Sequence, residues 1–174
     1  MKRITILAIL FTTILSIGCK KEETVPQPPV ITFLEARLSR DNAAGVVKFE
    51  FYDENGDLGL RQEENTGEQD YNIFVDYYEK HNGEWILKSP IVAPSLDQPD
   101  STTIKYDTTY THLRFPFIEN EDGSPLTGEA VIDLFYNSGY IQPYADTFRY
   151  EIYIKDRAFQ KSNTIVTSDI IAPQ

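Results

Sequence analysis

The sequence predicts an all-β fold, a single antiparallel β-sandwich of about seven to nine strands. Three observations predict it. From residue 30 onward, apolar residues recur at every second position in short runs, the period of half-buried strands. Turn residues separate these runs, and no stretch carries the period of a helix, so with no crossover helices the sheets must be antiparallel. Eleven Tyr and ten Phe supply side chains suited to a pleated, half-buried surface.

The elements follow in order. "VITFLEARL" (30–38) is the first strand. "VVKFEFYD" (46–53) places Val47, Phe49 and Phe51 on one face and Lys48 and Glu50 on the other. "YNIFVDYYE" (71–79) groups Ile73, Val75 and Tyr77. Asn82-Gly83 then predicts a type I′ hairpin turn, since both residues accept positive φ, and "EWILKS" (84–89) returns from it. "SPIVAPSLDQPDST" holds three prolines and reads as a loop. "TTIKYD" (102–107) and "YTHLRFPF" (110–117) are further strands. "EAVIDLFYN" (129–137) buries Ala130, Ile132 and Leu134. "DTFRYEIYIKD" (146–156) turns Phe148, Tyr150, Ile152 and Ile154 inward and Arg149, Glu151, Tyr153 and Lys155 outward. "NTIVTSDI" (163–170) closes the chain. Two sheets packed face to face, immunoglobulin-like or fibronectin-III-like, is the economical architecture. A closed barrel is the other way to satisfy the same strands.

The N-terminus reads "MKRITILAILFTTILSIGCKKEE". Lys2 and Arg3 precede an apolar run too short for a bilayer-spanning helix, which needs about 20 residues. It suits the apolar core of a secretory signal, residues 1–18. Gly18-Cys19 follows, and Cys19 is the one cysteine in the chain. This ending resembles the lipobox of bacterial lipoproteins, in the looser form found in Bacteroidota, with Ser16 at the usual Leu position. The resemblance implies lipidation of Cys19 and attachment to the membrane through that lipid. Lys21-Glu22-Glu23 resembles the export signal that sends such lipoproteins to the outer face of the outer membrane; a periplasm-facing placement is the alternative. Residues 19–29, with Pro26, Pro28 and Pro29, form an extended tether. Residues 30–174 form the domain, long enough for a core of its own. With Cys19 taken by lipid, packing and not disulfides must hold that core together.

Charge narrows the partners. Removing residues 1–18 takes away Lys2 and Arg3 and no acid, so the formal charge falls from −11 to −13. Such a field opposes nucleic acid, whose binding depends on neutralised phosphates. It attracts cations.

One turn carries cation-binding residues at telling intervals. In "FYDENGDLGL" (51–60), Asp53, Asn55 and Asp57 fall at alternate positions. Counting Asp53 as the first position of a calcium loop sets Asn55 third, Asp57 fifth, the Gly59 carbonyl seventh and Glu64 twelfth, the ligand spacing of an EF-hand. Leu58 occupies the sixth position, where an EF-hand requires Gly, and no helices flank the loop. The expectation is an EF-like Ca2+ loop on a sandwich, with Glu63, Glu68 or Asp70 as further donors. The bland reading is a tight turn, which Asn-Gly-Asp would also make.

Catalysis has little support. There are two histidines, His81 in the hairpin, expected to be exposed, and His112 in a strand. No nucleophile elbow is present. A non-catalytic binding or interaction domain fits better. Trp85, Tyr136, Tyr140 and Tyr144 are candidates for stacking on a sugar ring, as in a carbohydrate-binding module of a glycan-uptake system. An accessory subunit of an outer-membrane complex, pairing through a strand edge, is the other class. "YEIYIKDRAFQKSN" is similar to the last strands of bacterial Ig-like repeats, with Asp156, Ala158 and Ser162 at matching positions and Phe159-Gln160 in place of Gly-Asn. With the lipobox, the "DENGDLG" turn and the "YYEKHNGEW" hairpin, the chain resembles small, uncharacterised Bacteroidota surface lipoproteins with such a domain. That resemblance brings no activity with it.

Overall fold

The computed structural model describes residues 26–40, 44–95, 104–120, 123–135 and 145–172. These contain eleven strands, one 3-10 turn (Gly67–Gln69) and no α-helix. β1 (Val30–Leu38), β2 (Ala44–Asp53) and β8 (Leu126–Phe135) form a three-stranded sheet in the order β1-β2-β8. The second sheet is built on β3 (Ile73–His81) and β9 (Thr147–Ile154), with β4 (Glu84–Leu87) and β7 (Thr111–Leu113) on β3. β10 (Ile165–Val166) and β11 (Ile170–Ile171) lie on β9. β5 (Ile91–Pro94) and β6 (Tyr106–Thr109) make a separate two-stranded ribbon. All the ladders between named strands are antiparallel, and the sheets do not close on themselves. The expected all-β sandwich is therefore present, and the barrel is not.

Periodicity became packing where it was strongest. Val47, Phe49 and Phe51 of β2 are buried against Ile73, Val75 and Tyr77 of β3 and Phe148, Tyr150, Ile152 and Ile154 of β9. Phe51 meets Phe115 edge to face, with ring centroids 5.0 Å apart. β1 keeps its inner face only by changing phase. A bulge between Phe33 and Glu35 moves the inward positions from Ile31 and Phe33 to Ala36 and Leu38. Asn163 closes β1 against the last segment of the chain. It accepts from Ile31 N–H (2.9 Å) and donates to Ile31 O (2.8 Å), so its amide stands in for a strand neighbour.

Three expectations need correction. The Pro-rich stretch after β4 is not all loop, since residues 91–94 pair with residues 106–109 as the ribbon. The final strand is split. Thr167 N–H donates to Tyr150 O (2.9 Å), and its hydroxyl accepts from Tyr150 N–H (3.0 Å), so one side chain fills the gap between β10 and β11. His81 is half-buried, not free. Its Nε2 lies 2.8 Å from Glu79 Oε2, and Glu79 is only 2 % exposed. Tyr77 OH donates to the same carboxylate (3.1 Å), and Lys88 Nζ lies 3.5 Å away. A buried carboxylate needs such partners, so this cluster reads as structural. The Asn82-Gly83 turn formed as expected, with φ of 52° and 88°.

Phe49 is 0 % exposed and Val131 is 60 % exposed on adjacent strands. Phe49→Ala should cost about 3–5 kcal/mol in urea unfolding. Val131→Ala should stay within about 0.5 kcal/mol of the parent chain.

Candidate cation site and exposed surfaces

The 53–59 turn begins with a buried carboxylate. Asp53 is 0 % exposed. Its Oδ1 accepts from Asn55 N–H (3.2 Å) and its Oδ2 from Leu58 N–H (2.7 Å), so the side chain caps its own turn. Leu58, the residue that breaks the EF-hand pattern, is fully buried in the core. The turn is thus pinned from inside. Gly56 (φ +67°) and Gly59 (φ +97°) occupy left-handed conformations. A Cβ on Gly56 would overlap Ser124 O and Asn120 Nδ2, and one on Gly59 would overlap Pro116 O.

A second turn, 156–160, leaves β9 at the same pole. Asp156 is 1 % exposed, and its Oδ1 accepts from Gln160 N–H (2.7 Å). Phe159 keeps a left-handed φ of 64° where the resembled Ig-like motif has Gly. The turns touch through Arg157 N–H, which donates to Asp57 O (3.3 Å). Three acceptor oxygens are left buried with no donor: Asp57 Oδ1, Asp156 Oδ2 and Gln160 Oε1. Burial, opposed by the Gln160 N–H and reinforced by the charges of Asp57 and Asp53, raises the Asp156 carboxyl to about 6. Burial raises Asp57 as well, with the Asp53 charge adding to it and Arg157 opposing it.

The sequence-derived ligand set is only partly together. Asp53 and Asp57 share this pole. The Asn55 side chain points to the tether instead, donating to Gln27 O (2.8 Å) and accepting from Gln27 N–H (3.4 Å). Gly59 packs on Pro116. Glu64 belongs to another turn, where its Oε2 accepts from Arg61 N–H (2.6 Å). Arg114 clasps that turn through Arg61 O, Gln69 O and Asp70 O. Among the described residues, no group of three or more His, Cys, Asp or Glu side chains is arranged to hold a metal. Sequence reasoning missed Asp156 and Gln160 as partners of the loop. The match of Asp156 to the Ig-like ending was the one available signal.

The candidate sugar-stacking residues fare differently. Cys19, Tyr136, Tyr140 and Tyr144 lie outside the described residues. Trp85 is half-buried on β4, with Arg149 4.4 Å and Lys80 5.1 Å from its ring centroid. A sugar stacking on the ring would compete with these cations. A second aromatic row crosses the outer face of the same sheet. Phe74 stacks on Tyr153 (4.8 Å, 9° between planes) and meets His112 edge-on (4.9 Å), while Tyr110 stacks on His112 (5.2 Å). Lys161 Nζ sits 3.8 Å from the Tyr153 ring centroid. The inner rings of this row are occupied by one another. Burial lowers the pKa of His112.

No protein-family model, curated protein or solved structure matches the chain.

The Asp156 carboxyl binds its proton more tightly folded than unfolded, so its stabilising contribution is full below about pH 4 and is lost as pH rises through about 6. Asp156→Asn keeps the oxygen that caps the turn and removes the charge. In metal-free buffer, its thermal midpoint should match that of the parent chain near pH 4 and exceed it by a widening margin up to about pH 7.

Proposed function

We propose that the protein is a non-catalytic interaction domain of the cell envelope, lipid-anchored at Cys19 on the outer membrane and facing outward. The β5–β6 ribbon is the observation that carries the interaction reading. Among the described residues it pairs as a strand with neither sheet, and all four β6 residues are exposed. Large apolar side chains crowd it and its flanks: Val92 (59 % exposed), Ile104 (63 %), Tyr106 (60 %) and Tyr110 (58 %). An isolated two-stranded ribbon is marginally stable in water, and exposed large apolar side chains gathered on one element favour a contact site. A protein partner, as for an accessory subunit of an outer-membrane complex, suits a ribbon that can add its strand edges to another sheet. A carbohydrate-binding module is the less supported reading, because Trp85 is already engaged with cationic side chains.

Two measurements test this reading. Cys19→Ala should move the protein from the membrane fraction to the soluble fraction, and continued membrane retention would refute the anchor. A photo-crosslinking residue at Tyr106 or Val92 should give a discrete adduct in intact cells, whereas one at Glu84, exposed on β4, should not. Equal yields at all three positions would remove the ribbon as the contact surface.

A further inference from the structure

We propose that Asp57, Asp156 and Gln160 bind one hard divalent cation, of the calcium class, where the turns leaving the two sheets meet. The acids alone do not make a site. The pointer is Asp156, which arrives from the opposite sheet, is 1 % exposed, and holds an oxygen with no donor among the charges of Asp57 and Asp53. Buried acceptors without donors are rare in folded proteins and call for an ion or water. Here three lie on two turns that touch, two of them carboxylate oxygens, while the neighbouring Arg157, whose charge draws on Asp57, leaves its own Nη1 without an acceptor. The Gln160 amide is oriented by its Nε2, which donates to Pro26 O (3.2 Å), leaving Oε1 as the free acceptor. Asp53 contributes charge and not a ligand, because both its oxygens already accept turn N–H groups.

The donor set selects the ion. It is all oxygen, which suits calcium and disfavours zinc and copper. Calcium takes six to eight oxygens and tolerates irregular geometry, so water and main-chain carbonyls would complete a shell begun by two carboxylates and an amide. The site differs from a self-contained 53–64 loop, since Glu64 has no part in it and the second turn does. A cation there would tie β2 to β9. It would also steady the tether, because Gln160 and Asn55 hold Pro26 and Gln27. The ion site is independent of what the ribbon binds.

Calcium titration and thermal unfolding of the full chain in mild detergent at pH 7.5 test the site. Calcium should bind one to one and raise the midpoint by several degrees at a hundredfold excess over Kd, with magnesium weaker. Asp156→Asn should be more stable than the parent chain in EDTA, yet gain nothing from calcium. Asp57→Asn should also lose the calcium response, which covers a failure of the first variant to fold. Glu64→Gln should respond like the parent chain. A midpoint indifferent to millimolar calcium but dependent on pH would overturn the proposal in favour of a proton shared by Asp57 and Asp156. Loss of the response in Glu64→Gln with retention in Asp156→Asn would overturn it in favour of the loop alone.

Discussion

Two strands leave their sheets at one pole, and each is turned by a buried aspartate. This constraint shapes the rest of the molecule. Asp53 ends β2 and Asp156 follows β9, and each accepts N–H groups that its turn would otherwise leave bare. Capping by a carboxylate is strong because the acceptor is charged. It is also what brings like charges together inside the protein, where screening is weak. The two turns hold Asp53, Asp57 and Asp156 as neighbours, close enough for their charges to act on one another. Arg157 offsets part of the repulsion at Asp57. Its guanidinium is also drawn to the Phe117 ring, 5.2 Å away, and its Nη1 has no acceptor.

The strands were legible where one face is buried and the other is wet. β2, β3 and β9 have this form, and their inward residues are those the alternation predicts. The Asn82-Gly83 turn was legible because its backbone requirement is local. β1 hides its phase change, since a bulge leaves no mark in composition. The ribbon was lost behind Pro94 and the prolines near it, although an edge strand without neighbours tolerates proline. The loop was half legible. Alternate oxygens put Asp53 and Asp57 on one turn, where their charges are neighbours, but helical EF-hand spacing also recruited Glu64, which a sandwich turn carries elsewhere. Leu58 was the informative departure, because its place in the core pins the turn inward. Asp156 lies about a hundred residues along the chain, and no local pattern could reveal that the sheets bring it to Asp57.

Exposure alone does not distinguish the two aromatic-rich surfaces, but engagement does. On the second sheet, Phe74, Tyr153 and His112 are cross-strand neighbours in register. Their rings contact one another, and Lys155 and Lys161 lie over Phe74 and Tyr153. Such a row stabilises the sheet through pair contacts. Tyr110, beside the ribbon, stacks on His112, but Val92 and Tyr106 join no such row among the described ring contacts and lie on strands that pair with neither sheet. A partner would gain more from the ribbon than from rings that already have neighbours.

The pole joins these features to the N-terminal segment at Pro26 and Gln27. Gln160 holds Pro26, and Asn55 holds Gln27 through both halves of its amide. The same two turns carry the crowded carboxylates. If Cys19 carries the proposed lipid, load passed through the tether would enter the domain at the turns that hold Asp53, Asp57 and Asp156 close together. Local openings begin where contacts are weakest, so repulsion between the turns would loosen the tether before it loosened the core behind Phe49 and Phe148. A charge placed between the turns acts on both at once. It would offset the repulsion between the carboxylates and steady the place where Pro26 and Gln27 join the domain.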